Sequence, residues 1–300
     1  MMLNEAIGAE LIKGAYDLHL HSAPDVLPRI VDDMEMARRI TALGMKGFAA
    51  KNHFFCTAPR AQLVKKAYPG CNAVGTICLN NAVGGVNPIA VELAARCGTK
   101  LVWFPTCDAL WERQYAEKEP GKKAFWAKIV ETLQEENIEM PGISLLDENG
   151  KLKRCVYDVL EVVKKNKMTI CTGHISHQEC FALISEAHRM VVERMIVTHV
   201  SFPSTFYTEE QQKTLIAQGA YMEQSYSTYA TGKVTFEAML RQIKAAGAKH
   251  VVLGTDLGQP TRDEPEAGLL KFLIDLYEGG VAPDDIRQMV SKNGADFVEA

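Results

Sequence analysis

Short apolar runs alternate with helical stretches along the whole chain, and this alternation restricts the fold more than any other feature. Eight runs are predicted as strands: Tyr16–Leu20, Lys46–Ala50, Ala73–Leu79, Lys100–Pro105, Met168–Thr172, Met195–Val200, Ala220–Gln224 and Lys249–Thr255. Stretches of helical period such as Asp32–Leu43, Pro88–Cys97 and Thr235–Ala246 lie between most of them. Eight strand–helix repeats with short turns predict an α/β fold, a closed (β/α)8 TIM-like barrel, with an open doubly wound sheet as the alternative.

The longest interval separates the fourth and fifth predicted strands. It contains a predicted helix, Lys122–Asn137, and then Asn149-Gly150 between apolar runs, which is a hairpin signal. The sequence therefore predicts a small β-hairpin insertion between strands 4 and 5, followed by a helix over Tyr157–Asn166. This insertion is too short to have a core of its own, so residues 1–300 are expected to form a single barrel domain.

Composition excludes several classes of protein. Of 300 residues, 47% are hydrophobic and 23% are charged, which is typical of globular chains and not of disordered ones. The net charge of -4 indicates no basic field, so we expect a small-molecule partner and no nucleic acid. No apolar run reaches the roughly 18 residues of a membrane span. The amino terminus lacks an apolar signal region and the eight cysteines form no CxxC pair, so a cytoplasmic location with reduced thiols is expected.

Five of the eight histidines stand at the carboxyl ends of predicted strands. The first two, His19 and His21, form an HxH pattern in strand one, where residues i and i+2 point to the same side. Both imidazoles therefore face one space, which makes half of a divalent metal site. A pair of buried, hydrogen-bonded histidines is the alternative. The remaining three follow strands two, five and six, at His53, His174 and His199.

In a (β/α)8 barrel all of these strand ends open on one face, where the active sites of this fold lie. Asp256 follows strand eight and joins the same rim. The predicted metal ligands are therefore His19, His21, His53, His174, His199 and Asp256. Six ligands exceed the needs of one tetrahedral zinc, so one or two divalent ions are expected. Mixed imidazole and carboxylate ligands suit Zn, with Mn or Fe as alternatives.

This pattern resembles the amidohydrolase superfamily of metal-dependent hydrolases, and the match runs from Asp17 to Asp256. Residues 16–60, from the HxH through Lys51-Asn52-His53, also resemble the opening of the PHP (polymerase and histidinol phosphatase) domain. The chain is most similar to an uncharacterised amidohydrolase-like group that combines both patterns. The resemblance implies water activated by metal, with Asp256 accepting its proton and passing it to the leaving group. With a single ion, His199 or His53 would polarise the electrophilic oxygen.

The chain departs from that superfamily at the bridging ligand. Many members carry a carboxylated lysine or a glutamate after strand four, whereas here strand four ends Trp103-Phe104-Pro105-Thr106-Cys107-Asp108. Strand three ends Leu79-Asn80-Asn81, which also contains no carboxylate. Three residues are candidates to replace the bridge: Lys51, Glu223 and Asp108. Lys51 is either a carbamate, which forms only from the neutral amine, or an ordinary lysine that pairs with a carboxylate or an anionic substrate. Glu223 either faces the barrel mouth or pairs with Lys51.

The loops that follow the strands give a weaker prediction of the substrate. Arg262 and Lys51 are predicted to hold a carboxylate or a phosphate. Tyr226 and Tyr229 either donate to an oxyanion or pack their loop. In the fourth connection Trp111, Tyr115 and Trp126 suggest a lid or a subunit contact, and a homo-oligomer is left open.

The leading hypothesis is a hydrolase that acts on a C–N or C–O bond of a small molecule, namely an amide, a lactone or a cyclic imide. One alternative is a PHP-type phosphoesterase, which needs several rim cations, with candidates Lys51, Arg29, Arg60 and Arg262. The other is a non-catalytic metal-binding or ligand-binding barrel.

Overall fold

Eight parallel strands form one sheet in sequential order in the computed structural model, which describes residues 2–119 and 124–299. The strands are β1 Tyr16–Leu20, β2 Gly47–Ala50, β3 Asn72–Cys78, β4 Thr99–Trp103, β5 Thr169–Cys171, β6 Met195–Val197, β7 Ala220–Ser225 and β8 Val251–Gly254. Each coincides with a predicted strand to within a few residues. All seven strand pairs from β1 to β8 are parallel.

The sheet closes into a barrel where β8 meets β1. Leu20 forms a parallel bridge with Leu257, and the backbone N–H of Asp256 donates to the carbonyl of His19 at 2.6 Å. The buried carboxylate of Asp17 spans the same seam. It accepts the Thr255 hydroxyl at 2.5 Å and the backbone N–H groups of His19 and Thr255 at 3.1 Å. The predicted closed barrel is thus confirmed over the open sheet.

Helices connect the strands and cover the outside of the barrel. They are α1 Met2–Leu11, α2 Asp33–Ala42, α3 Ala58–Ala67, α4 Pro88–Arg96, α5 Leu110–Lys118, α6 Ala127–Glu135, α7 Arg154–Lys165, α8 His177–Arg189, α9 Glu209–Ile216, α10 Tyr226–Ala230, α11 Phe236–Ala246, α12 Pro265–Glu278, α13 Pro283–Arg287 and α14 Asn293–Val298. Several helices have a polar N-cap residue, because the first N–H groups of a helix need hydrogen-bond acceptors. Asp32 caps α2, Asn87 caps α4 and Ser176 caps α8. No helix in the described ranges is long and apolar enough to cross a membrane.

The amino-terminal end of the barrel is filled by apolar side chains. Leu18, Leu101 and Ile196 pack inside the barrel with Phe297 and Val298 of α14, which lies across that end. The Thr169 hydroxyl donates to the carbonyl of Phe297 at 2.9 Å. This packing closes the amino-terminal end of the barrel within the described residues. A bound molecule is therefore expected at the carboxyl ends of the strands, where the predicted metal-binding side chains lie.

The predicted β-hairpin insertion between strands 4 and 5 is not confirmed. Leu146 and Leu152 form one isolated antiparallel bridge, and no strand forms at these positions. The Asp147 carboxylate accepts the backbone N–H groups of Asn149 and Lys151 at 2.9 Å, so it holds a tight turn. Helix α7 already begins at Arg154, so the end of the Lys151–Val156 run expected for the second strand of the hairpin is helical. The helix predicted over Lys122–Asn137 is observed as α6, and residues 120–123 lie outside the described part.

Candidate metal centre

The carboxyl ends of the strands bring the five predicted histidines into one buried group. The ring centroids of His19 and His199 are 4.7 Å apart, those of His21 and His53 are 4.9 Å apart, and those of His174 and His199 are 5.4 Å apart. A cavity of about 450 Å³ opens above them, and four of the five rings line it. The convergence expected from strand geometry is observed, whereas the ligand roles stay a prediction.

Asp256 lies at the centre of this group. Its Oδ1 is 3.3 Å from Nε2 of His19 and 3.3 Å from Nε2 of His21. Its Oδ2 accepts the Ser227 hydroxyl at 2.9 Å. Asp256 and His199 both have left-handed backbone conformations, with φ of 53° and 54°. Non-glycine residues rarely adopt this region, and such strain is concentrated at functional sites.

Three of the five imidazoles are oriented by a partner at Nδ1, which leaves Nε2 for another contact. The pairs are His19 with Glu223 at 2.6 Å, His53 with Thr106 at 2.8 Å and His199 with Ser225 at 3.0 Å. This is how outer residues fix metal-binding histidines in proteins. Glu223 thus contacts His19 and Ser225, and among the described residues no ion pair joins it to Lys51.

His174 is a buried histidine without hydrogen-bond partners. Neither ring nitrogen has one in residues 2–119 and 124–299, and the nearest carboxylate oxygen, Oε2 of Glu112, is 3.7 Å from Nδ1. A buried polar group left unpaired costs about 1–3 kcal/mol. The residues therefore fit a metal ion by the chemistry of the donor set, which is a group of buried imidazoles, one of them unpaired, around a carboxylate.

Burial keeps these imidazoles neutral. It lowers the pKa of His19 and of His21 to about 3 and that of His199 to about 4, and it holds the pKa of His53 and His174 well below the usual range. Burial opposes ionisation of Asp256, but the surrounding imidazoles, His19 first, hold its pKa well below the usual range. Neutral imidazole and ionised carboxylate are the forms that bind metals.

We expect the metal-free protein to lose stability in mild acid. Above pH 6.5 these histidines are neutral in both states, but below it the unfolded chain takes up protons that the folded chain cannot. For His19 and His21 the loss between pH 6.5 and pH 5 is about 2 kcal/mol each. Urea unfolding with a chelator at several pH values measures it. His21→Gln should flatten the pH dependence, and the control His188→Gln, at an exposed position, should not. A stability that is constant from pH 7 to 5 would contradict the prediction.

Lys51 lies under the histidines with 1% of its surface exposed. Its Nζ is 2.8 Å from Nε2 of His19 and 5.6 Å from the centre of the Trp103 ring. No carboxylate within the described residues forms an ion pair with it. Lys51 is therefore a buried amine whose nearest partner is an imidazole nitrogen.

Asp108, the third candidate bridge, lies away from this centre. Its side chain binds Arg113 and accepts the backbone N–H of Asn81 at 2.7 Å, so it anchors the fourth connection. Asn80, at the end of strand three, has a similar structural role. Its amide donates to the carbonyl of His53 at 2.8 Å and to the Thr106 hydroxyl at 2.7 Å. Asn80 thus holds the loop after β2 in place, and Asp108, bound to Arg113, is not placed as the bridging carboxylate.

Some of the other predicted residues line the cavity and others lie outside it. Arg262 and Arg29 line the cavity, whereas Arg60 is paired with Asp33 outside it. Tyr226 and Tyr229 do not line it either. Their hydroxyls donate to Asp263 at 2.6 Å and to Asp275 at 2.7 Å, so these rings pack their loop and are not positioned as oxyanion donors.

Three charged residues of the cavity lining, Glu112, Glu119 and Lys233, were missed by the sequence reasoning. Glu112 on α5 is buried and accepts the Ser204 hydroxyl at 2.5 Å, and burial raises the pKa of Glu112 to about 7. Lys233 follows α10, and its Nζ lies 4.0 Å from the centre of the Phe202 ring. Their position after strands four and seven was the available signal, because both connections open on the same rim.

The barrel and its histidines define a class of protein, a (β/α)8 barrel with a candidate metal centre at the carboxyl ends of its strands. The family of unknown function (DUF6282) matches residues 14–223, and the chain belongs to this family. No curated protein matches it.

Solved structures share this fold at low sequence identity. An amidohydrolase from Pseudomonas aeruginosa is 9% identical with a TM-score of 0.62, and 99% of each chain is covered. The probable dipeptidase PvdM from the same organism is 9% identical with a TM-score of 0.61, covering 99% of this chain and 98% of that one. A mutant of organophosphorus hydrolase is 14% identical with a TM-score of 0.57, covering 97% and 94%. At these identities the likeness establishes the fold alone.

Proposed function

We propose that this protein is a metal-dependent hydrolase that cleaves a C–N or C–O bond of a small molecule, namely an amide, a lactone or a cyclic imide. The observation that carries this proposal is the convergence of neutral, oriented imidazoles on Asp256, with an unpartnered buried His174 beside them. The names of the similar structures, which include an amidohydrolase and a probable dipeptidase, agree with a hydrolase.

In the part of the chain that the structure describes, two overlapping groups of side chains have the ligand atoms close enough to hold an ion. One is His19, His21 and Asp256, and the other is His19, His199 and Glu223. We favour the first, because Nδ1 of His19 is already bonded to Glu223 and only its Nε2 remains for the ion. Zn is the expected metal, with Mn or Fe as alternatives and one or two ions per chain. Such an ion would lower the pKa of water toward 7 and polarise the scissile carbonyl.

Asp256 is the proposed proton acceptor. Its low pKa keeps it ionised across the neutral range, and the Ser227 hydroxyl fixes one of its oxygens. Because Asp256 also borders the cavity, it can pass the proton to the leaving group after bond cleavage. His199 and His53 also line the cavity, where either would polarise the oxygen of the reacting carbonyl.

Lys51 is the proposed bridging group, as a carbamate. Its neutral amine would add to carbon dioxide, forming an N–C bond and releasing one proton. A buried ammonium without a carboxylate partner is unfavourable, and it competes with a metal for Nε2 of His19. Beside a bound cation the carbamate would be a paired anion, and it would leave Nε2 of His19 available to that ion.

Phosphoester cleavage is the second candidate. The organophosphorus hydrolase likeness and the PHP resemblance favour it, but one of the four predicted rim cations, Arg60, is bound outside the cavity. A barrel that binds metal without turnover is the third.

Metal analysis and a substrate panel test the proposal together. Protein from metal-replete medium should contain at least one Zn, Mn or Fe per chain. A panel of amides, lactones, cyclic imides and phosphomonoesters should include a C–N or C–O substrate whose hydrolysis stops with a chelator and returns with metal. His21→Ala should lose metal, whereas His188→Ala, at the exposed end of α8, should keep it. Protein that binds no metal under these conditions would refute the proposal, and phosphomonoester turnover alone would favour the second candidate.

A further inference from the structure

Two exposed cations on the cavity wall, Lys233 and Arg262, form no ion pair within the described residues, although Asp256 and Glu112 act on the charge of Lys233. Lys233 follows β7 and Arg262 follows β8, so they belong to neighbouring loops, and both line the cavity with Asp256. Within residues 2–119 and 124–299 neither side chain forms an ion pair or a side-chain hydrogen bond. The other lining cations are engaged: Arg29 donates to Asp25 at 2.7 Å, and Lys51 contacts His19.

The two charges act on each other. Burial is the main reason why the pKa of Lys233 is lowered, and Arg262 lowers it further. When two like charges face one cavity, an anion bound between them reduces their repulsion. Both are near the reacting centre, since Asp256 also acts on the pKa of Lys233.

Apolar side chains also line the cavity. Leu27 and Trp126 belong to one buried cluster at the cavity, and Phe125 lies beside them. Phe202 continues this surface toward Lys233, 4.0 Å from its Nζ. A ligand that fills about 450 Å³ therefore meets both cations and aromatic rings.

We propose that the substrate carries a carboxylate held by Lys233 and Arg262, next to an apolar or aromatic group that packs on Phe202 and Trp126. This inference rests on the proposed function and names the substrate class of the same site. The loops that follow strands seven and eight of such barrels often bind phosphate. Here Glu112, Glu119 and Asp256 line the same cavity, so a monoanion suits the charge balance better than a dianion.

Binding of N-benzoylglycine and of its neutral amide, N-benzoylglycinamide, tests the inference. The two probes share the aromatic ring and differ in charge. Calorimetry is done on metal-free and on metal-loaded protein, with turnover monitored in parallel. We expect the acid to bind roughly tenfold tighter than the amide in both forms. Lys233→Met/Arg262→Gln should bring that ratio close to one, and Lys213→Met/Arg241→Gln, exposed positions away from the cavity, should leave it unchanged.

Three outcomes would overturn the inference. The first is equal affinity for acid and amide in the unmodified protein, or a preference that survives in the cavity variant. A preference seen only with metal would assign the carboxylate to the metal ion. Inorganic phosphate that binds tighter than the acid through the same pair would make the anion a phosphate. If the proposed function fails, the protein lacks metal or turnover. The ratio of acid to amide affinity in metal-free protein depends on neither, so the two failures are distinguishable.

Discussion

Asp256→Asn should lower kcat on the best substrate of the panel by roughly 10²- to 10⁴-fold, the usual contribution of a general acid–base group. Asparagine keeps the shape and one oxygen, but it cannot take up the proton of the attacking water. Asp256 also belongs to the favoured ligand group, so kcat is measured at metal concentrations that keep the variant loaded. Stopped-flow or steady-state kinetics together with elemental analysis of the same samples give kcat and the metal content.

Asp263→Asn is the matched control for this substitution. Asp263 lies in the same loop, accepts the Tyr226 hydroxyl at 2.6 Å and does not line the cavity, so kcat should change little. If Asp256→Asn loses metal in proportion to activity, Asp256 acts mainly as a ligand. If it keeps most of its turnover, the proton-transfer role is wrong.

Lys51→Ala should remove both metal and activity, to below about 1% of the unmodified protein, because outer partners alone change metal affinity 10- to 100-fold and a bridging ligand contributes more. A short carboxylate such as propionate should restore part of the activity, since it replaces the missing anion, whereas ethylammonium should not. Native mass spectrometry should detect one bound carbon dioxide per unmodified chain and none in the variant.

Lys213→Ala, an exposed lysine on α9, controls for the loss of a lysine and should behave as the unmodified protein. Rescue by the amine instead of the carboxylate would mean that Lys51 acts as an ammonium. A Lys51→Ala protein that binds metal more tightly would show that the lysine competes with the ion for Nε2 of His19, contrary to the proposal.

The barrel was predictable because its signal is local. Each strand is a short apolar run, each helix has its own period, and caps such as Ser176 mark where the helices begin. The same local rule explains why the histidines converge, since residues that end parallel strands share one rim. The hairpin insertion is not confirmed, because the flanks of Asn149-Gly150 pair only at the bridge of Leu146 with Leu152 before α7 begins at Arg154.

The partners of the site residues were not predictable in this way. Glu223 and His19 are 204 positions apart, and only the packing of β7 near β1 makes the carboxylate reach Nδ1. Tyr226 and Asp108 had the right positions along the chain, yet their side chains bind Asp263 and Arg113 outside the centre. Lys233 and Glu112 belong to no motif and reach the cavity only because their connections fold back over it.

The sequence by itself determined the number and order of the strands, the face on which His19, His21, His174 and His199 gather, and the place of Asp256 among them. Periodicity and strand ends are local properties, and barrel closure converts them into a position in space. Tertiary structure alone decided which imidazole nitrogens are held and which are free, where the amine of Lys51 lies and which charges face the cavity. Side-chain direction and burial depend on contacts between distant segments, and no local pattern records them.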